Sequence, residues 1–474
     1  MTLYRCSVCN IFEYEPDRGN SLTNVHPGTD PSEFPPDWAC PICGSDRTHL
    51  NPVPNDSVPD EHSESRAGYL AEWERYSDEL EVYMADIHTM AVTGESVIEP
   101  MRTKKPVISW DDILIKGAQL ARIPLNKDTE VNTRTVIGPS SRHPLVIETP
   151  VFVTHMSFGA LSKEVKIAIA KGTAAAKTAM GSGEGGMLPE TRRFAYKYIL
   201  EYVPNRYSIT EENLRSADAI EIKIGQSAEP GLGARLPAEK VTAEIAKIRG
   251  YPQGTDIVSP ASYEDIRSRD DLRKKVRWLR ETSGGRPIGV KIAAGDIEED
   301  LAEVVYAGPD FITIDGRPGA TGAALQYIKA ATSVPTIFAL YRARKYLDNH
   351  DIRDISLVIT GGLRISPDFA KALCLGADAI AIGTAALMAC ACQQYRICDT
   401  GYCPVGVTTQ RPELRERLQP DMSAKRLENF LMVSTEELRD FARLTGNNDV
   451  HALSIRNICT TNSEISGHTG IPHV

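Results

Sequence analysis

Ile288-Gly289-Val290-Lys291-Ile292-Ala293, a helix-like segment, and then Phe311-Ile312-Thr313-Ile314 running into Asp315-Gly316-Arg317-Pro318-Gly319-Ala320-Thr321-Gly322-Ala323 form the stretch that decides the fold. Two short apolar, β-branched runs separated by a helical segment read as a β-α-β unit, because parallel neighbours need a crossover connection. The rhythm extends in both directions, with strands expected at Thr149–Thr154, Ala219–Ile224, Leu357–Thr360 and Ala379–Ile382. Repeated units of this kind predict a parallel α/β sheet, and their spacing favours a (β/α)8 TIM barrel over a doubly wound sheet. Function in such barrels sits at the C-terminal ends of the strands. Three glycine-rich stretches fall there: Asp315–Ala323, Thr360-Gly361-Gly362 and Gly383-Thr384-Ala385. Any one of them alone is most often a tight turn. Together, on consecutive late strands, they predict a phosphorylated cofactor cradled by backbone N–H groups.

The chain has 474 residues, 42% of them hydrophobic, enough for one large domain and a small one. A net charge of −10 without a basic stripe argues against a nucleic-acid surface. A CxxC follows the start directly, with no apolar signal segment, and no apolar run is long enough to span a bilayer. A soluble, cytoplasmic protein is expected.

Four of the ten cysteines lie within residues 6–43, five lie between 374 and 403, and only Cys459 stands apart. A secreted disulfide scaffold would be small and cysteine-dense throughout. Two tight groups around a thiol-free body instead read as metal sites. The first group, Cys6-x-x-Cys9 with Cys40-x-x-Cys43, offers tetrahedral sulfur to zinc or iron, and spacing alone does not choose. Its surroundings do. Tyr4-Arg5-Cys6-Ser7-Val8-Cys9, Pro27-Gly28-Thr29 and Asp37-Trp38-Ala39-Cys40-Pro41-Ile42-Cys43-Gly44 resemble rubredoxin over nearly the whole segment. That resemblance implies a mononuclear iron acting as a one-electron relay, with a structural zinc ribbon as the alternative. Tyr4, Tyr14, Phe34 and Trp38 are expected to form its aromatic core. Asn10 replaces the glycine usual after the second cysteine, and Asn tolerates positive φ better than most residues.

Domains are expected at residues 1–50 (rubredoxin-like), 51–66 (a polar linker), 67–137 (a helical lead-in) and 138–474 (the barrel). Leu70, Trp73, Tyr76, Leu80, Tyr83, Met84, Ile87 and Met90 recur at helical spacing and predict an amphipathic helix over 67–93. Gly94 is its stop, and packing onto the main domain is its expected role.

The second cysteine group reads Cys392-x5-Cys398-x4-Cys403-Pro404-Val405-Gly406-Val407-Thr408-Thr409-Gln410. Gathered thiolates are costly unless a metal compensates their charge. This loop, spanning 390–410, completes an ordered set with Met156-Ser157-Phe158-Gly159, Gly183-Glu184-Gly185-Gly186, Glu221–Gln226 and Asp315–Ala324. The set resembles the FMN-binding synthase domain of glutamate synthase over roughly residues 100–470.

The resemblance implies several site assignments. Cys392, Cys398 and Cys403 correspond to ligands of an iron–sulfur cluster, three-iron in well-known members. Cys390, two residues away, keeps a four-iron cluster open. FMN is expected against Met156, Ser157, Gln226, Lys291, Gly319, Thr321, Gly322, Gly361, Gly362, Gly383 and Thr384. Lys291 would place charge beside the flavin ring, and its plain alternative is a salt-bridged strand-end lysine. Lys223, Glu184, Gln226 and Arg249 are the expected catalytic set: Lys223 polarising the acceptor, Arg249 holding a carboxylate, Glu184 and Gln226 orienting ammonia or proton transfers.

Two positions depart from the family. Glu229 stands where lysine is usual, and Arg235 where glutamine or histidine is common. A Lys-to-Glu exchange near a dicarboxylate turns attraction into repulsion unless Arg235 compensates, which hints at a substrate other than 2-oxoglutarate. The chain is also expected to lack the glutaminase and NAD(P)H-binding domains of full-length glutamate synthase.

The implied activity is reduction of an imine, formed from a 2-oxo acid and ammonia or an amine, with electrons entering through the rubredoxin-like iron. Expected partners are an external donor (ferredoxin or a reductase), a separate glutaminase and further copies of the chain, with no nucleic acid or membrane. Two rivals are an amine or N-substituted amino acid dehydrogenase running oxidatively, and an electron-transfer subunit without a working pocket.

Overall fold

The computed structural model describes residues 3–8, 12–20, 23–42, 44–53, 80–227, 229–232 and 234–474. Cys9, Asn10 and Cys43, nearly all of the expected linker, and Leu70, Trp73 and Tyr76 of the expected helix lie outside these residues.

The N-terminal segment forms a three-stranded antiparallel sheet from β1 (Tyr4–Cys6), β2 (Glu13–Tyr14) and β3 (Leu50–Pro52), with β1 in the middle. β3 runs two residues into the expected linker, pairing Asn51 with Arg5 and Pro52 with Tyr4. Proline is tolerated there because β3 is an edge strand. Phe12, Tyr14, Phe34 and Trp38 are buried together with Cys6 and Cys40, and Tyr4 packs against them. The Tyr14 and Phe34 rings meet edge to face at 4.8 Å, a favoured aromatic geometry. The expected aromatic core is present, with Phe12 added.

Within the described part of the predicted amphipathic helix lies α1 (Met84–Thr93), and Gly94 ends it in the left-handed conformation with its N–H on the Met90 carbonyl. No residue of α1 is buried, so Met84–Thr93 does not pack onto the main domain as expected, while the earlier residues of the predicted helix lie outside the described ones. Docking begins only beyond it, where Glu99 and Met101 donate to the carbonyls of Ala324 and Thr321.

Eight parallel strands then close into a barrel in chain order: β4 (Val151–Val153), β5 (Ala179–Gly181), β6 (Lys197–Tyr202), β7 (Ala219–Lys223), β8 (Ile288–Ala293), β9 (Phe311–Asp315), β10 (Ser356–Thr360) and β11 (Ala379–Ile382). Strand side chains alternate between two faces. Ile220, Ile222, Ile288, Val290, Ile292, Ile312, Ile314, Leu357 and Ile359 belong to the large core shared with the helices. Ile199, Ala219, Phe311, Val358 and Ala379 belong to a separate cluster inside the barrel. That cluster is closed by the hairpin Thr135–Ile137/Leu145–Ile147, whose Ile137, Leu145 and Ile147 plug the N-terminal end. Each such buried side chain contributes roughly 1.5–3 kcal/mol. No helix among the described residues is long and apolar enough to cross a membrane.

Candidate functional site

Above the apolar plug the inward positions turn polar. Lys291 on β8 reaches Glu201 on β6 with Nζ to Oε1 at 2.6 Å, both side chains almost fully buried. His155, just past β4, accepts the Gly183 N–H at Nδ1 (3.2 Å), and its Nε2 stands 3.1 Å from Glu221 Oε2 on β7. Thr313 on β9 donates to the other Glu221 oxygen at 2.5 Å. Burial pushes the Glu201 carboxyl up, but Lys291, His155 and Lys223 outweigh it and hold the group at about 2. The Lys291 ammonium is correspondingly favoured: burial works against it, and Glu201, Glu221 and Asp315 overcome that. The lysine expected beside a flavin is thus a buried ion pair whose charge is matched by acids.

One layer higher lies the expected catalytic set. Lys223, the last residue of β7, donates to Glu184 Oε2 at 2.5 Å, and Ser259 donates to Oε1 of the same carboxylate. Gln226 Nε2 donates to Glu229 Oε2 at 2.9 Å, and Thr321 donates to Glu229 Oε1 at 3.1 Å. Asp315, at the end of β9, faces the same space; burial raises its carboxyl to about 6 despite Lys291 and Lys223. Arg249, 8% exposed at the end of the helix Ala243–Arg249, donates to the Phe158 carbonyl at 2.9 Å and lies over the Tyr207 ring. Its positive field reaches Glu184. Lys223, Glu184, Gln226 and Glu229 are therefore brought together, with Arg249 beside them. Arg235 is not. It pairs with Asp256 at 2.5 Å on an exposed hairpin, so it does not offset Glu229.

The loops beyond β9 and β10 interlock. A methyl on Gly361 would sit 2.1 Å from the Gly316 carbonyl oxygen, and one on Gly362 would sit 2.5 Å from Pro318 Cγ. Both residues have positive φ, so only glycine is unstrained there. Gly319 closes against Gly361, while Gly383 stands beside Thr154 and Met156. The N–H groups of Gly361, Gly362 and Gly383 have no backbone acceptor among the described residues, a donor set that fits a phosphate. Lys166 fixes the opposite rim. It is buried in the helix Lys163–Ala175 and donates to the carbonyls of Met156 and Ser182 at 2.8 Å each. Burial draws its ammonium down to about 7, which Glu201 partly offsets.

Cys392, Cys398 and Cys403 line one cavity with Met101, Val407 and Thr408. Burial pushes the Cys398 thiol up to about 12, with Cys392 and Cys403 adding to it. Three thiols converging on one cavity fit a site completed by cationic metal. Cys390 is buried on the helix Thr384–Cys390 and does not line this cavity. The cysteine loop is tied to both rims. Gln410 donates to the carbonyls of Gly159 and Leu161 at 3.1 and 2.9 Å, and a methyl on Gly322 would lie 2.8 Å from Cys398 Cβ. At the N-terminal group, Cys6 and Cys40 are buried in one aromatic core, and Cys6 Sγ lies 3.2 Å from Ser45 Oγ.

His155, Glu201, Glu221, Asp315 and Lys166 were not legible as site residues. Their one signal is a charged side chain inside, or directly beside, an apolar run.

A model of the conserved region in glutamate synthase matches residues 89–448, and a rubredoxin model matches residues 3–50. The archaeal glutamate synthase (NADPH) of Methanocaldococcus jannaschii is 39% identical over 403 residues, covering 78% of this chain and 78% of that protein. A glutamate synthase large subunit-like protein of Rhizobium meliloti is 36% identical over 409 residues, covering 82% and 92%. Among solved structures, a mutant flavocytochrome b2 with pyruvate bound superposes with a TM-score of 0.49 at 16% identity, covering 77% of this chain and 80% of that one.

Proposed function

The chain belongs to the glutamate synthase family, and from that premise we propose an FMN- and iron–sulfur-dependent oxidoreductase that reduces the imine of a 2-oxo acid to an amino acid. The observation that carries this reading is the Lys223–Glu184–Gln226–Glu229 cluster at the barrel mouth, one glycine loop away from three convergent thiols. When bound, the flavin supplies hydride transfer, and the iron centres supply one-electron steps to it. A three-iron cluster is favoured, because three cysteines line the cavity and Cys390 does not. The rubredoxin match favours iron over zinc at Cys6, Cys9, Cys40 and Cys43.

The chain's own residues do the rest. Lys223 stands 2.5 Å from Glu184, placed to polarise the acceptor and to give a proton to the imine nitrogen, the imine carbon being the atom that takes hydride. Ser259 fixes the Glu184 carboxylate so that Lys223 keeps one orientation. Arg249, held by the Phe158 carbonyl, adds positive potential toward a substrate carboxylate and braces the Gly159 and Gly185 backbones. Lys166 keeps the Met156 and Ser182 carbonyls in register beneath the ring site. Electrons come from an external donor through the N-terminal domain, and ammonia comes from solution or a separate glutaminase.

The test mixes photoreduced enzyme with ammonium and a panel of 2-oxo acids while flavin reoxidation is followed. Reoxidation that needs both components supports imine reduction. A flavin that stays reduced with every 2-oxo acid, yet is bleached from the oxidised state by an amine, replaces this reading with the oxidative one.

A further inference from the structure

The charges at the barrel mouth do not balance in favour of a dicarboxylate. Three acids, Glu184, Glu229 and Asp315, surround the single ammonium of Lys223, and that ammonium is already on Glu184. The other cations nearby are committed as well: Lys291 to Glu201, Arg235 to Asp256, and Arg249, which also holds the Phe158 carbonyl, to the first substrate carboxylate. A second substrate carboxylate would enter an acid-rich region with no uncommitted cation among the described residues to meet it, and like charges at close range are costly.

Glu229 is also oriented for a positive task. Gln226 occupies one of its oxygens and Thr321 the other, with one hydrogen bond to each. An ionised carboxylate has about four acceptor positions, so each oxygen retains capacity for a further donor. We infer that Glu229 is a specificity residue that selects, at the far end of the substrate, an N–H donor (an amide or an ammonium) over a second carboxylate. Burial and the neighbouring Glu184 raise the Glu229 carboxyl, against Lys223, Thr321 and Gln226, so an incoming anion would add to an existing strain and an incoming donor would relieve it. The inference rests on the amino-acid reading of the site given above.

The test titrates oxidised, flavin-loaded enzyme with L-glutamine, L-ornithine and L-glutamate and follows the visible flavin spectrum. These amino acids have related backbones and differ at the far end in carrying an amide, an ammonium or a carboxylate. Glutamine or ornithine is expected to bind about tenfold more tightly than glutamate, the size of one lost charge contact. Ornithine ahead of glutamine assigns an ammonium, and the reverse order assigns an amide. In Glu229→Gln the ornithine advantage is expected to vanish, and in Glu229→Lys glutamate is expected to become the preferred ligand. Glutamate binding as tightly as the other two in the unaltered enzyme overturns the inference and leaves the amino-acid reading standing. A flavin that responds to none of the three overturns the reading and the inference together.

Discussion

Replacing Lys223 by methionine separates its charge from its bulk. The side chain is 11% exposed and is ion-paired with Glu184, so the change removes the proton donor without opening the barrel. Imine-dependent flavin reoxidation should fall by about 100-fold or more at unchanged flavin content. Normal turnover in Lys223→Met would remove this residue from the chemistry. Lys291 poses a different question, because it is buried against Glu201 and lies a layer deeper. Lys291→Met leaves a carboxylate stranded in the barrel and should cost on the order of 3–5 kcal/mol in urea unfolding, partly restored by adding Glu201→Gln. The pH dependence carries a sign. Glu201 is held at about 2 in the fold against an ordinary 4.5, so its contribution is complete above pH 4.5 and is lost as the pH falls toward 2. The stability gap between the unaltered protein and Lys291→Met should therefore narrow as the pH falls from 4.5 toward 2.

At the scale of elements, what could be read from sequence depended on whether a signal is local. Ile288–Ala293 and Ala379–Ile382 were read with the right ends because their runs are apolar and β-branched and both faces are covered. β5 is three residues, Ala-Met-Gly, with no strand signal of its own. β6 reads Lys-Tyr-Ile-Leu-Glu-Tyr, and its glutamate breaks the apolar run because it points inward to Lys291. The cysteine loop was legible since Cys392, Cys398 and Cys403 lie within twelve residues of one another. His155, Glu201 and Glu221 were not, because barrel closure alone brings them together. α1 was legible as a helix, but its exposed apolar side shows that amphipathic spacing does not guarantee a partner. The glycine loops allow a paired prediction. Gly322→Ala places a methyl 2.8 Å from Cys398 Cβ and should lower iron and acid-labile sulfide with flavin retained. Gly361→Ala collides with the Gly316 carbonyl at positive φ and should lose flavin instead. Equal losses of both groups from both variants would show that the two loops are a single unit.

Across the whole molecule, the proposed electron path from the N-terminal domain to the barrel can be cut at its entrance. Cys40 is buried in the N-terminal aromatic core, remote in sequence from every barrel residue. Cys40→Ser would weaken the proposed four-sulfur site by exchanging a soft ligand for a hard one, and Cys40 lies outside the residues matched to glutamate synthase. If the N-terminal domain is the port, turnover driven by reduced ferredoxin should fall by at least about tenfold, because the donor can no longer hand its electron to that iron. Turnover of the same variant after photoreduction should be unchanged, since small mediators reach the flavin directly. The two assays share the barrel, the cluster loop and the substrate pocket and differ only in where electrons enter. Loss in both would mean that the N-terminal domain stabilises the barrel. Loss in neither would mean that the domain holds a structural metal, and that electrons reach the barrel by another face.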